Sequence, residues 1–161
     1  MQIPTPQAEH RWLLRLVGDW TYQCECEMGP GQPPSVFEGR ESVRALGELW
    51  TIGEGVGEMP GGGENRSIMT LGYDPAQQRF VGSFIVSVMT HLWPYRGTLD
   101  AAGKVLTLDS EGPSVAGDGT LAQYQDLIEF HSDDHRTLSS QVLGPDGTWT
   151  RFMVAQYHRR K

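Results

Sequence analysis

One helical stretch followed by about ten alternating runs leaves this chain few folds to adopt. The switch falls at Gly18. Before it, Ala8, Trp12, Leu13, Leu16 and Val17 recur at three-to-four spacing and form one apolar stripe. Thr5 is expected as the N-cap, Pro6 suits the first helical position, and Gly18 is expected to stop the helix. After Gly18 the period is two. Trp20, Tyr22, Cys24 and Cys26 alternate with Thr21, Gln23, Glu25 and Glu27, as in a strand with one wet face. One amphipathic helix cannot cover both faces of a large sheet, but it can close one end of a barrel.

The later runs have the same character. Strands are expected over 36–45, 49–56, 67–73, 79–88, 93–99, 105–110, 121–130, 137–143 and 149–157. They are separated by turn clusters such as Asp74-Pro75, Asp100–Gly103, Ser132–His135 and Gly144–Gly147. The 20 Gly and 10 Pro fall largely in these clusters, so they mark turns and not disorder. No second helical pattern exists to make crossovers, which points to an all-antiparallel sandwich or barrel. Sequential hairpins in an open sheet leave two edges, and edges are commonly blunted with lysine. This chain has only Lys104 and Lys161, so closure is favoured. The expected architecture is one domain over 1–161, an all-β, antiparallel up-and-down barrel with the helix closing an end.

The net charge of −7 argues against sequence-independent binding to nucleic acid or anionic membranes. No basic segment leads into an apolar one at the N-terminus, and no apolar run is long enough for a membrane span. A cytoplasmic location is expected. Cys24 and Cys26 share a strand face with Cα atoms about 6.5–7 Å apart, too extended for an easy disulfide. No second Cys or Cys/His pair completes a zinc site, so buried free thiols are expected.

The segments that carry a family resemblance are Leu16-Val-Gly-Asp-Trp20, Met69-Thr-Leu-Gly-Tyr-Asp-Pro75, Arg79-Phe-Val-Gly82, Leu92-Trp-Pro-Tyr-Arg-Gly97, Ser110-Glu-Gly-Pro113 and Tyr157-His-Arg159. In this order they resemble a family of uncharacterised, largely bacterial lipocalin-like proteins known by a domain-of-unknown-function label. That family is similar to the wider calycin group, whose barrels hold a fatty acid, a retinoid or a haem. The resemblance implies the fold and no established activity. It also implies a closure in which an arginine near the C-terminus lies over Trp20. Arg159 fits that role, and Arg151 or Arg160 could take it instead.

Polar groups on apolar strand faces mark the candidate site. Tyr22 follows the phase of Trp20. Glu54 has the phase of Trp50, Ile52 and Val56. Tyr73 has that of Met69 and Leu71, Tyr124 that of Ile128 and Phe130, and Tyr157 that of Met153 and Ala155. On the second strand either Glu38 and Arg40 or Phe37 and Val43 face in, depending on register. A buried Glu54 needs a partner, and Arg40 or a tyrosine hydroxyl is the candidate. The expected ligand-binding set is therefore Tyr22, Arg40, Glu54, Tyr73, Tyr124 and Tyr157, with Arg40 available to anchor an acid. The same residues also fit satisfied core tyrosines and one internal ion pair.

Other motifs carry less. His91 lies near Trp93 and Pro94 and suits a rim loop. His131–His135 has ligand-type residues but coincides with a turn, so no metal is expected. Haem through His158 is disfavoured, and no cofactor is expected. The Pro60–Gly63 loop precedes no helix and lacks the P-loop Lys. No G-x-S-x-G motif is present and no catalytic residue is assigned. Two functions remain: a barrel binding a small apolar or amphipathic ligand, and a module acting by association with another protein or as a homodimer. An enzyme using the same pocket is a weaker third.

Overall fold

The computed structural model describes residues 1–161. Its helix is shorter than the apolar stripe suggests. α1 spans Ala8–Leu13 and passes into a 3₁₀ turn over Leu14–Leu16. Gln7, not Thr5, is the N-cap, because the cap contact comes from within the helix. His10 Nδ1 accepts the Gln7 backbone N–H at 2.9 Å. The proton then sits on Nε2, which donates to the Tyr73 carbonyl at 3.0 Å and fastens the helix to the wall.

Gly18 opens the first strand and does not cap the helix. Its φ is +136°, and a Cβ there would collide with the Arg159 guanidinium.

Ten strands follow: β1 (Gly18–Cys26), β2 (Ser35–Leu46), β3 (Trp50–Glu58), β4 (Glu64–Asp74), β5 (Arg79–Val86), β6 (Trp93–Leu99), β7 (Val105–Pro113), β8 (Leu121–Ser132), β9 (His135–Leu143) and β10 (Trp149–Arg159). Each expected run is present, with ends shifted by a few residues. Consecutive strands pair antiparallel, and β1 also pairs β10, with Trp20 opposite Arg159 and Cys26 opposite Met153. The sheet is therefore a closed up-and-down barrel without edges. No helix is long and apolar enough to cross a membrane.

The helix plugs the end where β1 begins. Trp12, Leu13 and Leu16 are buried there with Trp20, Leu71, Phe80, Leu106 and Phe130. The Trp12 ring meets Phe130 edge-on at 5.4 Å, and its Nε1 donates to the Gly103 carbonyl at 2.7 Å. Trp20 is fully buried and donates from Nε1 to the Leu16 carbonyl at 2.8 Å. Arg159 completes the closure. Its guanidinium lies 4.2 Å from the Trp20 ring centroid and donates to the carbonyls of Val17 and Arg15. Those contacts tie the last strand to the plug.

Candidate functional site

The register of β1 sets the interior. Trp20, Tyr22, Cys24 and Cys26 face in, opposite Glu41, Gly39, Phe37 and Ser35 on β2. Odd-numbered residues of β2 therefore line the barrel, and Arg40 points out. It sits in a surface groove with Thr21, Glu38, Glu58, Glu64 and Arg160. On β3 the inward face is Thr51, Gly53, Gly55 and Gly57, all buried, while Trp50, Ile52, Glu54 and Val56 face outward. Glu54 pairs with Arg44 at 3.7 Å on the outer surface, both side chains more than half exposed. The expected interior pair Arg40–Glu54 is thus corrected on both counts. The physical reason is steric. Tyr22 lies across Gly39 and Gly57, where a Cβ would meet its ring or hydroxyl, and a Cβ on Gly53 would stand 2.7 Å from Glu41 Oε2. The glycines face in because side chains from neighbouring strands fill their space.

The interior does hold one ion pair, between other residues. Arg136 on β9 donates to Glu41 at 2.6 Å, with side-chain exposures of 3% and 13%. Its guanidinium also lies 4.5 Å from the Trp20 centroid and 4.1 Å from that of Tyr157. Tyr157 is buried and stacks tilted on Tyr22 at 4.9 Å. Burial is the main cause that pushes the Tyr22 phenol up to about 12 and holds Tyr157 well above its ordinary value. Only a void of about 20 Å³ remains in this layer, roughly the space of one water. No interior guanidinium is free to anchor an acid. Tyr73 lies at the plugged end, against His10 and Phe80.

The room is at the opposite end. A cavity of about 420 Å³ opens there between β5, β6, β7, β8 and β10. Phe84, Trp93, Tyr124 and Phe152 form its walls, and Met89, Ser114 and Val115 its rim. Trp93 meets Tyr124 edge-on at 5.0 Å, which fixes both rings. Gly112 permits this, since a Cβ there would collide with the Trp93 indole. Tyr124 donates its hydroxyl to the Pro113 carbonyl at 2.6 Å.

The floor is polar. Asp126 accepts from the Tyr95 hydroxyl through Oδ2 and from the Ser140 hydroxyl through Oδ1, the latter at 2.5 Å. Burial raises the carboxyl above its ordinary range, against the two hydrogen bonds that lower it. Burial likewise holds Tyr95 well above its usual value.

Of the expected site residues, then, Tyr124 lines the cavity, while Tyr22 and Tyr157 lie deeper beside the ion pair. Tyr95, Asp126 and Ser140 were missed. Asp126 shares the phase of Tyr124, Ile128 and Phe130, so a charge in an apolar phase was the available signal.

The remaining candidates fall outside the cavity. His91 contacts the Glu111 carbonyl at 2.9 Å and packs edge-on against Trp93. His158 alternates with inward Tyr157, so it faces out and stacks on His135 at 4.6 Å. Cys24 and Cys26 are half-buried, not fully buried, with sulfurs 3.4 Å apart.

A family described as "Protein of unknown function (DUF1579)" matches residues 5–159. No curated protein matches the chain. Among solved structures it is similar to Rv2717c from M. tuberculosis, at 14% identity and a TM-score of 0.66, covering 98% of this chain and 100% of that one. It is also similar to the S-type phycobiliprotein lyase CPES from Guillardia theta, at 13% identity and 0.59, covering 96% and 94%. A third likeness is to EF1p2_mFAP2b bound to DFHBI, at 12% identity and 0.51, covering 94% and 98%. At these identities the likeness is one of fold.

Proposed function

We propose that this chain, which belongs to the DUF1579 family of unknown function, binds a small, largely apolar ligand in the open end of its barrel. The observation that carries this reading is the cavity of about 420 Å³ with four aromatic walls and a polar floor. Its size and chemistry are those of small-molecule sites, in which a few convergent polar groups orient an otherwise apolar guest. A protein of similar fold has a solved structure bound to DFHBI, which supports the use of such a barrel as a container. Tyr124 would contact the guest, and Tyr22 and Tyr157 would support the layer beneath. The net charge of −7 favours a partner other than nucleic acid, and two free thiols suit a cytoplasmic, lipocalin-like protein.

The test is titration with N-phenyl-1-naphthylamine, an uncharged fluorophore that brightens in apolar sites. Saturable enhancement is expected with the wild type, weakened about tenfold or more in Ser114→Trp, which fills the rim. Circular dichroism and a melting curve check that the variant is folded. Absence of saturable binding by the wild type overturns the proposal.

A second reading, self-association as a homodimer, is supported by the outer face. Ile68 and Ile85 pair across β4 and β5 at 39% and 44% exposure, beside exposed Met89. Sedimentation at tens of micromolar should then show a dimer that Ile85→Lys dissociates. A monomeric wild type rejects it.

A further inference from the structure

The cavity floor has a carboxyl group with no basic side chain beside it. No Lys, Arg or His nitrogen lies within 4.0 Å of Asp126; the ion pairs of the chain are all elsewhere. Its two hydrogen bonds come from neutral hydroxyls. A carboxylate has about four acceptor positions, so roughly half remain open. The side chain is reached from the cavity it lines. Around it stand Trp93, Tyr124, Phe84 and Phe152, whose ring faces attract cations. The one interior guanidinium, Arg136, is held by Glu41 and does not line this cavity.

An uncompensated carboxylate in an apolar site is costly to keep. A core polar group serving structure alone is expected to arrive with its partner, as Arg136 does. Asp126 instead lines space that a guest would fill and keeps acceptor capacity there. Resting on the ligand-binding reading above, we propose that the guest is a small alkylamine or arylalkylamine. Its protonated nitrogen donates to Asp126 in place of the missing counter-charge, and its apolar body lies against Trp93, Tyr124 and Phe152. The net charge of −7 draws such cations toward the molecule and repels acids. This reverses the acid preference that an Arg40 anchor would have given.

The test uses three near-isosteric probes on the whole chain: 2-naphthylmethylamine, 2-naphthylmethanol and 2-naphthoate. Binding is followed by calorimetry and by quenching of tryptophan fluorescence, with Trp93→Phe identifying the reporter. The amine should bind about tenfold or more tighter than the alcohol, as one charge-assisted hydrogen bond implies, and the naphthoate weakest. In Asp126→Asn, which keeps the shape of the floor, the preference of amine over alcohol should vanish while alcohol affinity stays within about threefold.

The wild-type comparison stands even if that variant folds poorly. If alcohol and amine bind equally well, or naphthoate binds best, the amine inference fails and the container reading survives. If none of the three binds, and N-phenyl-1-naphthylamine does not either, both fail. A preference that persists in Asp126→Asn also overturns the assignment, because another group would then be reading the charge.

Discussion

Replacing Glu41 with Gln asks how far the middle of the barrel depends on one ion pair. Arg136 is 3% exposed, and its Nε has no partner, so the guanidinium relies on Glu41, Trp20 and Tyr157 for all that water would supply. Gln keeps the shape and one acceptor but removes the charge. An uncompensated buried cation costs about 3–5 kcal/mol. The retained acceptor puts Glu41→Gln near the lower end, about 3 kcal/mol. Arg136→Met strands a carboxylate that is 13% exposed beside the 20 Å³ void, and it removes two cation–ring contacts. A cost of about 3 kcal/mol is expected there too. The double variant leaves no charge and should lose only about 2–3 kcal/mol, so the coupling is about 3–4 kcal/mol. Urea unfolding with linear extrapolation measures all four proteins. A single-variant cost below about 1 kcal/mol, the range of exposed pairs, or strict additivity would refute the argument.

Three further outcomes follow from the interior. Gly57→Ala should destabilise by about 1–3 kcal/mol, because its methyl meets the Tyr22 hydroxyl; in a Tyr22→Phe background most of that cost should disappear, and an equal cost in both backgrounds would place the strain elsewhere. Because burial raises the Asp126 carboxyl, the native state holds that proton more tightly than the unfolded chain. Its contribution to stability therefore falls as pH rises through and above the ordinary carboxylate range. The melting temperature of Asp126→Asn, relative to wild type, should accordingly increase from about pH 3.5 to pH 7, and a flat difference would contradict the burial assignment. Cys24, pushed up to about 12 mainly by burial, should label slowly with a thiol reagent at neutral pH and rapidly in denaturant; fast native labelling would remove it from the interior.

Strand count and closure were legible because turns and alternation are local signals. The interior was only partly so. β3 shows the difficulty. Trp50, Ile52 and Val56 alternate with Gly53, Gly55 and Gly57, and the apolar phase normally marks the buried face. Here the buried face is glycine, filled by Tyr22 and Glu41 from other strands, and a residue without a side chain leaves no mark in the pattern. That inversion carried Glu54 inward and chose Arg40 over its neighbour Glu41. One interior charge does call for another. The partner of Glu41 lies on β9, with β1 and β10 between the two strands around the ring, where spacing along the chain says nothing. Asp126 stands in the same phase as Tyr124, Ile128 and Phe130, and a single acid there does not break the apolar pattern.

The seam between β1 and β10 has a consequence for how the molecule comes into being. The first strand made can find its second neighbour only when the last one exists, and Trp20 waits for Arg159 throughout. Until then the growing sheet has two bare edges, and β1, with its two thiols, forms one of them. Ring closure over so long a loop is slow, and it waits until β10 has been made. A chain that lost its final strand would be an open ribbon with adhesive sides, held together only by meeting another of its kind.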